Sequence, residues 1–174
     1  MSASTTTLHC RVITYETSLS FDEVTARLHD AINREQSSSV LSRVGQAMDK
    51  NTIDALLPSD GFIFFNEFAH HKWLNAYHGV TNTPRTSVYV IGNPRIADTM
   101  LKHDLRAALH IPPRLLVMEN DDRTRTSVLY HQPSSAIALP GCSQVLRAAA
   151  HALDAKLEAL VAHITHAPRK GNAM

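Results

Sequence analysis

The chain lacks the features by which several classes of function declare themselves. Its 17 Lys and Arg nearly balance 16 Asp and Glu, for a formal net charge of +1, so it has neither a broad basic face for nucleic acid nor an acidic tail. It has only two cysteines, Cys10 and Cys142, far apart in sequence. A single disulfide between them is conceivable, but such scarcity fits a reducing compartment better, and both are read as free thiols. No stretch approaches the roughly 18 uninterrupted apolar residues of a membrane span. Residues Met1 to Thr7 show no basic segment leading into an apolar run, as a secretory leader would. Glycine-rich phosphate loops, nucleophile elbows, internal repeats and low-complexity blocks are also missing. These absences favour a soluble, cytoplasmic protein that binds neither nucleic acid nor membrane.

What is present is a chain of 174 residues, long enough to bury one core and expected to form a single domain over 1–174. Eleven histidines add titratable charge below about pH 6.5. Leu8 to Tyr15 alternates like a strand. Ser20 and Glu23 form a capping box that opens a helix whose apolar residues Phe21, Val24, Leu28, Ala31 and Ile32 share one stripe, leaving Arg27, Asp30 and Arg34 toward water. That helix is expected to end near Gln36. Residues 37–60 carry two short helical stripes broken around Asn51 and Thr52, a helical insertion. After the turn at 58–61 comes a run from Phe62 to Phe68 with four of the five phenylalanines, which predicts a central, mostly buried strand.

A short helix from His70 stops at Gly79. The strand from Thr86 runs to Ile91 and meets Gly92-Asn93-Pro94, where asparagine suits a helix N-cap and proline the first helical position. Apolar segments near 96–101 and 105–109 follow, then two strands, Arg114 to Glu119 and Thr126 to Tyr130, joined as a hairpin by the polar turn between them. The last element, about 142–164, keeps apolar residues at spacings of three and four through nearly six turns. The tail 167–174 has no periodicity and is expected to fray. This order predicts an α+β fold: a mixed β-sheet of about five strands with helices packed on it and a long C-terminal helix.

Gly61-Phe62, Glu67-Phe68-Ala69-His70, Gly92-Asn93-Pro94, Pro113-Arg114-Leu115-Leu116-Val117 and a strand ending at Tyr130 resemble, in order and spacing, the domain-of-unknown-function family 302. The family-like core covers about 11–130. Two positions depart from the family pattern: Ala69 stands where it has aspartate before the histidine, and Ile91 where it has phenylalanine before the glycine. The resemblance implies an α+β fold, frequent dimers and no settled activity, and the missing aspartate removes the Asp-His pairing.

Glu67, His70 and His71 lie where the phenylalanine strand gives way to a helix, and a histidine beside a carboxylate is the simplest proton-transfer pair. They are the candidate catalytic residues. The plainer alternative is that one histidine caps the helix while the other faces water. Asn93, Phe64, Tyr89, Arg95 and Tyr130 are the candidate ligand-binding residues, with Asn93 equally explained as a cap and Arg95 as a solvated surface charge. Cys142, at the start of the last helix, is a weaker nucleophile candidate. No histidine or cysteine spacing points to metal, and no cofactor is expected. Two functions stay open: a homodimeric domain that binds a small molecule between the His70 and Asn93 strand ends, or a cofactor-independent enzyme with His70 or His71 as acid and base on a small carbonyl or unsaturated substrate.

Overall fold

A computed structural model describes residues 2–166; the tail expected to fray at 167–174 lies outside the described residues. Five strands, β1 (Val12–Thr17), β2 (Ile63–Ala69), β3 (Thr86–Gly92), β4 (Arg114–Glu119) and β5 (Thr126–His131), form one sheet in the order β1-β5-β4-β3-β2. Seven α-helices join them among the described residues: α1 (Phe21–Ala31), α2 (Arg34–Gln46), α3 (Lys50–Leu56), α4 (His70–His78), α5 (Pro94–Leu101), α6 (Pro133–Ile137) and α7 (Gln144–Thr165), with a 3-10 turn over Leu105–His110. The fold is α+β with a long C-terminal helix, as expected. The sheet is antiparallel throughout, not mixed. The three-helix connection between β1 and β2 carries the chain to the opposite edge instead of pairing the two strands side by side.

Local sequence explains most boundaries. At α1 the Ser20 hydroxyl accepts from the Glu23 amide at 3.2 Å and Glu23 accepts from the Ser20 amide at 2.8 Å, satisfying two donors the first turn would orphan. Gly79 ends α4 with φ +64. Asn93 caps α5 and Pro94 starts it. Two boundaries differ from expectation. The first helix stops at Ala31 because Asn33 adopts a left-handed conformation, φ 48, which asparagine tolerates better than most residues. The break inside the 37–60 insertion falls earlier than Asn51, because Asp49 caps α3 by accepting from the Thr52 amide at 2.9 Å.

One sheet face carries the core. Tyr89, Leu115 and Tyr130 are register partners in one row across β3, β4 and β5, with Val117 and Val128 in the next; all are buried. Against them pack Val24 and Leu28 of α1, Ile32 just past its end, and Leu146, Ala150, Leu153, Leu157, Val161 and Ile164 of α7. Each fully buried leucine or isoleucine contributes about 1.5–3 kcal/mol. On the opposite face Val88, Leu116 and Leu129 form a half-buried apolar row, with Phe68 50% and Val12 55% exposed near its ends.

The phenylalanine strand is an edge, not the centre. Its bulk is covered in another way: Phe64 lies under Arg34 of α2, while a bulge between Phe64 and Asn66 accompanies a Phe65 ring set against Gly92 of the next strand. A Cβ on Gly92 would stand 3.0 Å from Phe65 Cζ and 3.2 Å from Pro112 Cβ, so this glycine admits the ring. Gly92→Ala is expected to cost about 1–3 kcal/mol through overpacking, visible as a lower urea midpoint at unchanged m-value. An unchanged midpoint would mean that Phe65 moves aside freely.

Candidate functional site

The edge strand and the helix break together build a polar cluster at one side of the sheet. Glu67 and Tyr89 are register partners on β2 and β3, and both project onto the helix-covered face. The Asn33 break turns Arg34, first residue of α2, back toward them. One Arg34 amino group meets Glu67 Oε2 at 2.6 Å, and the other lies 2.6 Å from Nε2 of His29, near the end of α1. Because a guanidinium only donates, Nε2 must accept and the neutral ring carries its proton on Nδ1. The Tyr89 hydroxyl lies 3.2 Å from the same Nε2. The guanidinium lies 4.8 Å from the centre of the Phe64 ring and 6.0 Å from that of Tyr89. Beside this cluster opens a cleft of about 570 Å³ bordered by His29, Asp30, Arg34, Glu35 and Phe64.

The electrostatics are those of a partly desolvated ion pair. Burial pushes the Glu67 carboxyl up, but the adjacent Arg34 guanidinium, with the Ser87 and Tyr89 hydroxyls nearby, outweighs it, and the pKa is held below the usual carboxylate range. Burial, then the Arg34 charge, lowers His29. Burial and the neighbouring Glu67 charge raise the Tyr89 phenol far above its ordinary value. At neutral pH the cluster therefore holds a carboxylate, a guanidinium, a neutral imidazole and a neutral phenol. Ser87 Oγ, wholly buried beside Glu67, has no fully formed hydrogen-bond partner.

The residues singled out from sequence fall into separate places. Phe64, Glu67 and Tyr89 meet in this cluster. His71 ties α4 to β3, its Nδ1 3.1 Å from the Thr86 amide and 3.0 Å from the Thr86 carbonyl, with Phe21 against its ring. His70 accepts from the Trp73 indole N–H at 3.1 Å and stacks on Phe68. Asn93 is buried with its amide fully used: it accepts from the Arg95 amide and donates to the carbonyls of Pro58 and Gly61, both at 3.1 Å. Arg95 pairs with Asp54, joining α5 to α3. Tyr130 is in the core, where burial chiefly, with Tyr15, Glu158 and Asp154 nearby, pushes its phenol up to about 12, and Leu115 separates it from Tyr89.

The His70 and Asn93 strand ends, expected to flank one cavity, lie apart. Because β2 and β3 are antiparallel, Ala69 pairs with Ser87 and Ile63 with Gly92, so His70 and Asn93 cap opposite ends of the ladder, roughly 20 Å apart at about 3.4 Å per residue. The two cluster members missed in the sequence, His29 and Arg34, lie off the apolar stripe of a helix drawn as continuous. Only the left-handed Asn33 re-aims Arg34, and an asparagine within a helical pattern, four residues after a histidine, was the available signal.

Both cysteines are free, Cys10 exposed and Cys142 partly buried. Among the described residues no three His, Cys, Asp or Glu side chains converge as metal ligands would, and no helix is long and apolar enough to cross a membrane.

A family model described as "Domain of unknown function DUF302" matches residues 40–164, reaching through α7, beyond the part of the chain that carries the motifs. A crystal structure of an uncharacterized conserved protein DUF302 from Bacillus stearothermophilus is similar with a TM-score of 0.62 at 15% identity, covering 88% of this chain and 97% of that one. No curated protein matches the chain.

The lowered His29 gives the cluster a pH signature. As pH falls, the unfolded chain protonates this histidine near 6.5 while the folded chain resists, so its share of stability is lost between that value and the lower folded one. Glu67, also lowered, adds a second loss in the acid range below about 4.5. Between about pH 7 and pH 5.5 the urea midpoint of the wild type should fall more than that of His29→Gln. Equal slopes would assign the dependence to the other histidines.

Proposed function

The chain belongs to the domain-of-unknown-function family DUF302, and on that premise we propose that it binds a small organic molecule in the cleft beside Phe64, with Arg34, Glu67, His29 and Tyr89 as its polar wall. One observation carries this: a charged, hydrogen-bonded network is held partly desolvated over an aromatic floor and still opens to a space of about 570 Å³. Its volume falls in the range of small-molecule sites, about 300–1,000 Å³, and its lining is polar apart from Phe64, which suits a polar ligand with one flat apolar face. Of the ligand-binding residues chosen from sequence, Phe64 and Tyr89 serve this site. Asn93, Arg95 and Tyr130 support it from the fold, through the α5 cap, the α3 tie and the core row.

Catalysis by acid and base without a cofactor is the second possibility, and His29 is what favours it. A neutral imidazole next to the Tyr89 hydroxyl and at the rim of the cleft can take a proton from a bound carbonyl compound once Arg34 releases its Nε2 lone pair. His70 and His71 would act in such a reaction only on a substrate reaching α4, since their rings are engaged with Trp73 and Thr86. A homodimer would use the sheet face opposite the core, whose Val88, Leu116 and Leu129 row is apolar, since in a two-fold dimer such a patch packs against its own copy.

Titrating a fragment library into labelled protein and following amide shifts by NMR tests the binding site. Hits should perturb Phe64, Arg34 and Tyr89, and Phe64→Ala should weaken them roughly tenfold or more through lost aromatic contact. A library with no hit at these positions would remove the site. Leu116→Glu should leave the protein folded and monomeric by sedimentation if the open face is the dimer contact. A dimer that survives the substitution would place the contact elsewhere.

A further inference from the structure

We infer that the cleft receives an organic cation with a planar, multiply donating head, of the guanidinium or amidinium class, and that Arg34 occupies the head's position until the ligand arrives. The inference rests on the cleft being a binding site and adds the charge and shape of its occupant. The receptor is complete without Arg34. The Phe64 ring is its floor at 4.8 Å from the guanidinium carbon and Tyr89 its wall at 6.0 Å. Glu67 Oε2 stands 2.6 Å from one guanidinium nitrogen as its counter-charge, and His29 Nε2 accepts an N–H from the other at 2.6 Å. An aromatic face, a close carboxylate and a neutral acceptor are what a flat cation with several donors requires. Nothing in these contacts depends on the cation being tethered to this chain.

The surrounding charge favours the same sign. Asp30 and Glu35 border the cleft and Glu67 lies behind it, so three carboxylates face the single Arg34 guanidinium while His29 stays neutral. An anionic ligand would meet an excess of negative charge and an arginine already paired; a cation would meet the complementary field. Arg85 shows what a purely structural version looks like. It lies 4.7 Å over the Phe21 ring but is held by two carboxylates, Asp22 at 2.5 Å and Glu119 at 2.8 Å, with its backbone amide on Glu119 as well. Arg34 has one carboxylate and one neutral acceptor. The two side chains are exposed alike, 33% and 35%, so the difference lies in the partners: releasing Arg34 breaks one ion pair where releasing Arg85 breaks two.

Self-occupancy makes the test one of sign. A ligand that must displace Arg34 has its affinity reduced by the fraction of time the box is free. Benzamidine, titrated calorimetrically and by NMR, should bind the wild type weakly and Arg34→Ala roughly tenfold more tightly. Glu67→Gln in the Arg34→Ala background should lose that gain, and benzoate, equal in shape and opposite in charge, should not bind Arg34→Ala. Arg34→Gln keeps a donor to Glu67 without the charge and answers the same question if Arg34→Ala does not fold. Benzamidine affinity unchanged or weakened by loss of Arg34 would overturn the inference. Benzoate binding that requires Arg34 would overturn it too, while leaving the cleft a small-molecule site for anions. If neither probe binds any variant, the cation class fails, and the fragment titration decides separately whether the cleft binds anything.

Discussion

The amide of Phe64 is where the helix layer and the sheet edge meet, and much of the structure is arranged to give it partners. It points away from β3, and as an edge-strand donor it would otherwise invite another chain. Instead it donates to the Ile32 carbonyl and the Ser37 hydroxyl, both at 3.1 Å, while Ser37 in turn donates to the carbonyls of Ile32 and Asn33. The Ile32 carbonyl can take the Phe64 amide because α1 ends there, while the Asn33 carbonyl accepts the first amides of α2. The left-handed Asn33 is thus the geometric condition for sealing the edge, and the same bend brings Arg34 over Phe64 and onto Glu67. Sealing the edge and forming the cluster are two results of one backbone turn.

Arginine on an aromatic ring with a sheet-face carboxylate occurs twice, and the difference between the copies separates scaffold from site. Arg85 links β3 to β4 and to the start of α1 and is saturated by Asp22 and Glu119. Burial raises Glu119, yet hydrogen bonds from Arg85 more than compensate, and the carboxyl is held low. The partly buried pair is fully hydrogen-bonded, which is the condition under which such pairs hold a fold in register. The Arg34 pair has the same chemistry with one partner neutral and one side open.

Much of the fold was legible because its signals are local. The Ser20 and Glu23 box, Gly79, Asn93 with Pro94, the acidic hairpin turn and the period of α7 each specify an element from within a few residues. The candidate site was legible only in part because its assembly depends on strand direction and on one residue's handedness. Glu67, Tyr89 and Phe64 were identifiable as strand residues near a carboxylate. That His70 and Asn93 cap opposite ends of the β2 and β3 ladder follows from antiparallel pairing, which no motif encodes. His29 and Arg34 were hidden by a helical pattern that continues across Asn33 while the backbone does not. The edge position of β2 was obscured likewise, since a bulge and an overlying helix cover aromatic bulk as well as a second strand would.

The chain has one tryptophan, and its indole N–H is bonded to His70 Nδ1. The bond fixes the His70 tautomer, because an accepting Nδ1 leaves the ring's own proton on Nε2. The same imidazole stacks on Phe68, so the one indole of this protein is anchored to the α4 end of β2, and its fluorescence reports on the packing at that edge and not on the core.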